Sequence, residues 1–112
     1  MSLTLLEQRD DRAAFDREML RQEVVNKLRQ GLKLHLPNQA VWVYGSILVP
    51  YKFSIRSDID IALEEPLETV SIYLLQSLLT EATGHEVDIS YLEETRLRKK
   101  IESHGERWIE SA

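Results

Sequence analysis

Two aspartates separated by one residue are the clearest candidates for chemistry in this chain. Asp58 and Asp60 lie in the segment Asp58–Leu63, whose alternating polar and apolar residues predict a β-strand. Side chains alternate between the two faces of a strand, so both carboxylates share one face while Ile59 points to the core. Two carboxylates about 7 Å apart repel each other unless a cation lies between them. The pair therefore predicts a site for Mg²⁺, a hard cation that prefers oxygen ligands.

A turn of small residues lies upstream of the aspartate pair. Gly45 and Ser46 directly follow Val41–Tyr44, an apolar segment that predicts a strand ending at a tight turn. A Gly-Ser pair alone occurs in many turns and is a weak motif. Its place between two predicted strands, one of them carrying paired aspartates, favours metal-dependent nucleotide chemistry.

A third carboxylate is predicted to lie close to this pair. Asp88 alternates with Val87 and Ile89 in a further predicted strand, so its side chain points away from both apolar neighbours. From a neighbouring strand, Asp88 can meet Asp58 and Asp60 on the same face of a sheet.

Helices and strands alternate along the predicted chain. Apolar residues recur every three to four positions between Phe15 and Leu32, which predicts a long helix whose stripe is mostly core. The predicted order is a helix from Thr4 or Asp11 to Leu34, strands at Val41–Tyr44 and Asp58–Leu63, a helix marked by Leu67 to Leu79 and closed by Gly84, a strand at His85–Leu92, and a helix at Glu93–Ser103. We expect an α/β (α+β) fold with a small mixed sheet covered by helices. Residues 1–112 are expected to form one domain, with a helical region at 1–36, a sheet core with the site at 37–92, and a helix and tail at 93–112.

Composition excludes several classes of protein. A chain of 112 residues with 43% hydrophobic side chains suits one modest core. The absence of cysteine excludes a disulfide scaffold and fits a reducing cytoplasm. A formal net charge of −5 argues against general nucleic-acid binding, which needs a basic surface. We expect a cytoplasmic protein without a signal peptide or membrane span, since no apolar stretch approaches the roughly 20 residues that a span requires.

With these elements placed, the chain resembles the minimal nucleotidyltransferases, short members of the polymerase-beta-like superfamily. Gly45-Ser46, the segment Ser57–Asp60 and Asp88 carry the resemblance. It implies that the Gly-Ser turn and Ser57 contact a nucleoside triphosphate, and that Asp58 and Asp60 bind two Mg²⁺ ions. It further implies that Asp88 completes the metal site and helps to deprotonate the acceptor. The implied reaction transfers a nucleotidyl group from ATP to a hydroxyl group and releases pyrophosphate.

The segment after the Gly-Ser turn departs from the family pattern. The family tends to place a basic residue there, whereas this chain has the apolar Ile47 and Leu48, and the eleven residues from Ile47 to Ser57 exceed the family's usual ten. Lys52 and Arg56 are the loop residues that can supply positive charge to a phosphate in their place.

The resemblance also implies a partner. Nucleotidyltransferases of this length resemble the antitoxins of toxin–antitoxin modules, in which the chain binds a HEPN-family ribonuclease toxin and transfers AMP to a tyrosine of that toxin. The exposed part of the first helix and the tail around Trp108 are the predicted contact surfaces, and a homo-oligomer fits an apolar helix face equally well. Two alternatives stay open. One is a catalytically silent antitoxin that acts by binding alone, and the other is a nucleotidyltransferase for a small molecule.

Other polar residues are interpreted as parts of the surface. His35, His85 and His104 lack metal-ligand spacing and are predicted to be surface or turn residues. A basic cluster in the last predicted helix is interpreted as a solvated face, with contact to RNA or an acidic partner surface as a weaker hypothesis. Its members are Arg96, Arg98, Lys99 and Lys100.

Overall fold

A mixed four-stranded sheet organises the part of the chain that the computed structural model describes, residues 4–112. The elements in chain order are α1 (Leu5–His35), β1 (Ala40–Tyr44), a short 3₁₀ helix (Ser46–Leu48), β2 (Ile59–Leu63), α2 (Ile72–Thr83), β3 (Val87–Tyr91), α3 (Arg98–His104) and β4 (Glu106–Ile109). The strand order is β3-β2-β1-β4, with β2 and β3 parallel and the other pairs antiparallel. The predicted α/β fold with a small mixed sheet is confirmed. Residues 1–3 of the predicted N-terminal helical region lie outside the described residues.

The helix α1 begins at the earlier of its two predicted starts. Thr4 caps it, since its hydroxyl accepts a hydrogen bond from the Glu7 amide at 3.2 Å. The C-terminal half of the helix contributes its buried side chains to the core, among them Val24, Leu28 and Leu32. Phe15 and Met19 are exposed, so the predicted stripe is core from Leu20 to Leu32 and exposed at its start. Within residues 4–112, no helix is long and apolar enough to cross a membrane.

The two faces of the sheet differ in what covers them. On one face, Val43, Ile61 and Ile89 pack with apolar side chains of α1 and α2 in the main core. Each fully buried side chain of this size contributes about 1.5–3 kcal/mol. On the other face, Ile101 of α3 packs with Ala62 and Leu92, and this smaller cluster reaches only part of the sheet. The remainder of that face carries the polar side chains at the start of β2 and β3.

Two predicted helix boundaries are wrong. The second helix begins at Ile72 and not near Leu67, because the Ser71 hydroxyl caps it by accepting from the Leu74 amide at 3.0 Å. Its predicted end is confirmed, with Gly84 in the left-handed conformation at φ +77°. The last helix begins at Arg98 and not at Glu93, since residues 92–97 form turns.

The chain ends in a strand, β4, where the sequence predicts only a tail. Gly105 permits the turn into it, since a Cβ there would lie 2.6 Å from the Ile101 carbonyl oxygen and 3.0 Å from that of Val43. Trp108 pairs with Val41 and is 6% exposed. The Arg29 guanidinium lies 3.8 Å from the centroid of its ring. Trp108 is therefore a core residue, and its prediction as a partner contact is wrong.

We expect Trp108→Ala to lower the free energy of unfolding by about 3–5 kcal/mol, since it removes a large buried aromatic side chain. Ile109→Ala is the matched control, because the neighbouring Ile109 is 49% exposed on the same strand. The control should change the free energy of unfolding by less than about 1 kcal/mol. Urea denaturation measures both, and equal effects of the two substitutions would contradict the packing of β4.

Candidate active site

The parallel pairing of β2 and β3 brings two of the predicted carboxylates together. Asp60 and Asp88 are register partners on these strands, and Tyr44 of β1 is the partner of Asp60 on its other side. Asp60 is half-buried and Asp88 is exposed. All three belong to the face that α3 leaves partly open. The sequence-predicted carboxylates thus meet on an accessible face of the sheet.

Asp58 lies one residue before β2 rather than inside the strand, and it is exposed. Its charge nevertheless acts on Asp60. Burial raises the pKa of Asp60, and the negative charges of Asp88 and Asp58 raise it further. The three carboxylates therefore form one electrostatic cluster whose mutual repulsion a divalent cation would relieve.

The chemistry of this donor set fits Mg²⁺, which binds carboxylate oxygens. Within residues 4–112, however, no three acidic, histidine or cysteine side chains are already arranged closely enough to hold a metal ion. The donor types fit, and the side chains would have to converge when a cation binds.

The Gly-Ser turn lies directly against Asp60. Gly45 has a φ of +88°, and a Cβ built on it would lie 3.0 Å from Oδ2 of Asp60. Glycine is required there by both the backbone conformation and the close approach. Ser46 begins the 3₁₀ helix and is partly buried. The structure thus joins Gly45, Ser46 and the carboxylate cluster in one place.

The loop from Val49 to Asp58 carries the other predicted nucleotide-binding residues. Lys52 and Arg56 are exposed, and within residues 4–112 their charged groups make no ion pair. Ser57 points into the loop, where its hydroxyl accepts a hydrogen bond from the Ser54 amide at 2.9 Å. The two cations are available to a ligand, whereas the Ser57 hydroxyl stabilises the loop.

Three residues of α1 hold this loop, and sequence reasoning missed them. The Glu18 carboxylate accepts from the Tyr51 amide at 2.9 Å, and Arg17 donates to the Tyr51 carbonyl at 2.8 Å. Arg21 bonds both carboxylate oxygens of Glu18 and donates to the Ile47 carbonyl at 3.0 Å. From sequence, Glu18 and Arg21 look like an ordinary surface pair three residues apart on a helix. We call Arg17, Glu18 and Arg21 the α1 clamp.

Tyr44 and Ser90 are further polar residues on the site face that sequence reasoning missed. Burial raises the pKa of Tyr44, and the charges of Asp60 and Asp88 act in the same direction. The Ser90 hydroxyl on the same face is buried and has no hydrogen-bond partner among residues 4–112. The phenol of Tyr44 is thus kept neutral beside the carboxylates.

His85 precedes β3, which begins at Val87 and not at His85 as the strand prediction had it, and its side chain is buried and not on the surface. It is 9% exposed, with its ring centroid 4.7 Å from that of Phe53. Its Nδ1 lies 2.8 Å from the Ser57 carbonyl oxygen. Spacing along the sequence gives no signal for this contact, because His85 and Ser57 are 28 positions apart.

Comparison with known proteins gives one informative likeness. No family model matches the chain, and no curated protein matches it. The fold is similar to a chain in a crystal structure of a toxin–antitoxin with AMP-PNP, with a TM-score of 0.59 and 26% sequence identity. The match covers 75% of this chain and 72% of the other.

The α1 clamp makes stability depend on pH. Hydrogen bonds from Arg21 and the Tyr51 amide lower the pKa of Glu18 from 4.5 to about 2. A carboxyl whose pKa is lowered on folding stabilises the fold above its unfolded pKa, and this contribution is lost as pH falls from about 4.5 towards 2. Glu18→Gln should therefore lower the melting temperature at pH 6, and the difference from the unmodified chain should shrink near pH 2.5.

Circular dichroism melts at both pH values measure this effect. Glu23→Gln is the control, because Glu23 makes only an exposed ion pair with Lys27 at 3.0 Å. A gap between the unmodified chain and Glu18→Gln that stays constant down to pH 2.5 would contradict the clamp.

Proposed function

We propose that this chain is the nucleotidyltransferase antitoxin of a toxin–antitoxin pair, and that it transfers AMP from ATP to a HEPN-family ribonuclease toxin. The observation that carries the proposal is the pairing of Asp60 with Asp88 against the Gly45-Ser46 turn on an open sheet face. The similar fold in a toxin–antitoxin structure with AMP-PNP, an ATP analogue, supports both the antitoxin role and the donor.

In this proposal, Asp58, Asp60 and Asp88 would hold two Mg²⁺ ions. Such ions stabilise negative charge on the attacking and leaving oxygens of an in-line displacement. The triphosphate lies along the Gly-Ser turn, where the missing side chain of Gly45 leaves room for the Asp60 carboxylate. Asp88, which is exposed, accepts the proton of the acceptor hydroxyl. The hydroxyl oxygen then bonds to the α-phosphorus, the bond to the β-phosphate oxygen breaks, and pyrophosphate leaves.

The proposed partner surface is the N-terminal half of α1. Leu5, Leu6, Phe15 and Met19 are all exposed there. The β3 edge of the sheet is less suited to binding a partner strand, because α2 side chains occupy its outward amides. Thr80 accepts from the Val87 amide and Gln76 from the Ile89 amide, each at 3.1 Å. A helical toxin therefore has α1, and not the β3 edge, to pack against.

A catalytically silent antitoxin is the second candidate, and one observation favours it. Ile47 is fully buried and Leu48 is partly buried, so the first turn after Gly-Ser offers no charge to a phosphate. Such a protein would keep the fold and the α1 surface and would neutralise the toxin by binding alone.

Intact-mass spectrometry of the toxin, incubated with this chain, ATP and Mg²⁺, separates the candidates. We expect the toxin to gain one or more AMP units with the unmodified chain. An Asp58→Asn/Asp60→Asn variant should abolish the gain, since it removes two charges that bind the cations. Glu81→Gln is the matched control, because Glu81 is an exposed acid on α2.

Each outcome has a defined meaning. A stable complex without a mass gain would favour the catalytically silent antitoxin over the enzyme. A mass gain that survives the double substitution would overturn the assignment of the metal site. Absence of both complex and mass gain would direct the search to small-molecule acceptors.

Lys52 and Arg56 provide a separate prediction about the donor nucleotide. Lys52→Ala should weaken ATP binding about tenfold, since a hydrogen bond to a charged group contributes about 1.5 kcal/mol. Arg56→Ala should act similarly. Lys27→Ala is the control, because Lys27 pairs with Glu23 on α1. Calorimetric titration with AMP-PNP measures the affinities, and an unchanged affinity of Lys52→Ala would remove Lys52 from the site.

A further inference from the structure

Backbone groups on both sides of Asp58 are held by the turn that leads into β3. The Ser57 carbonyl oxygen lies 2.8 Å from Nδ1 of His85. The Ile59 amide donates to the Glu86 carbonyl at 2.9 Å. Asp58 is therefore the single residue between two anchored backbone groups, and the two anchors are successive residues of one segment.

The contact with Ser57 determines which nitrogen of His85 carries a proton. A carbonyl oxygen can only accept a hydrogen bond, so Nδ1 must be the protonated nitrogen and must donate. The imidazole is also fixed by its packing on Phe53, which is fully buried. A rigid ring thus holds the carbonyl group that immediately precedes Asp58.

The same segment carries the carboxylate that faces Asp60. Asp88 follows Glu86 by two residues, and the parallel register pairs Ile59 with Val87 and Asp60 with Asp88. Residues 85–88 thus supply Asp88 and also position the backbone of Asp58. The spacing of all three carboxylates depends on how this segment is held.

We propose that His85 is a positioning residue for the divalent-cation site formed by Asp58, Asp60 and Asp88. The inference rests on the proposed function, which assigns the cations to these carboxylates. His85 does not ligate the cation. It fixes the Ser57 carbonyl, so that the backbone of Asp58 is held where its carboxylate can converge with the other two on a shared cation.

Mn²⁺ binding to the nucleotide-free chain, measured by electron paramagnetic resonance, tests this role without relying on catalysis. His85→Phe keeps a ring against Phe53 but removes the donor to Ser57, and we expect it to weaken Mn²⁺ binding at least about tenfold, as loss of residues that orient metal ligands does. His85→Asn places an amide donor near the position of Nδ1 and should restore most of the affinity. If the Phe variant does not fold, His85→Gln replaces it, because its longer side chain moves the donor away from Ser57.

Two controls separate positioning from stability and from the metal site itself. Val24→Ala removes a buried side chain of α1 and should leave Mn²⁺ affinity unchanged. Asp58→Asn removes a proposed metal ligand and should weaken Mn²⁺ binding whether or not His85 positions the site. Normal affinity of His85→Phe, or equal affinities of the Asn and Gln variants, would overturn the role of His85 while leaving the proposed function intact. A chain that binds no Mn²⁺, or an Asp58→Asn variant that binds normally, would overturn the metal site and this inference together.

Discussion

The parallel register between β2 and β3 is the constraint on which the site depends. Ile59 and Ile61 on one strand and Val87 and Ile89 on the other are buried on the same face. A shift of either strand by one residue would expose this apolar set, so the core fixes the register. The alternation of side chains then forces Asp60 and Asp88 together on the opposite face, where their charges repel. Core packing thus maintains an arrangement of carboxylates that electrostatics alone would oppose.

The connecting loop is held from two directions by elements that belong to the core. The α1 clamp forms hydrogen bonds with the backbone of Ile47 and Tyr51, and His85 forms one with the backbone of Ser57. Lys52 and Arg56 lie between these anchors with exposed side chains. The loop therefore combines a backbone held at several points with two exposed cations at its surface. These contacts support the loop, although it is one residue longer than the nucleotidyltransferase pattern.

The sequence predicted what local periodicity encodes and missed what depends on distant contacts. The alternation around Asp60 and Asp88 predicted both strands and a shared face. By contrast, β4 has four residues with one buried side chain, Trp108, which is too short a pattern to distinguish from a tail. The buried His85 owes its environment to Phe53 and Ser57, and the α1 clamp acts on residues more than 25 positions away. Such contacts follow from the packing of elements and have no signature in spacing.

The helix α1 links the two surfaces that the proposed function requires. Phe15 and Met19 are exposed on it, and Glu18, adjacent to Met19, holds the loop from Val49 to Asp58 at Tyr51. A toxin packed on these apolar residues would contact the turn of helix that carries the clamp. Because Tyr51 has a φ of +68°, which costs free energy for a bulky residue, the loop conformation depends on its hydrogen bonds to α1. In the proposed function, a toxin docked on α1 would therefore lie against the element that holds the loop beside the carboxylates.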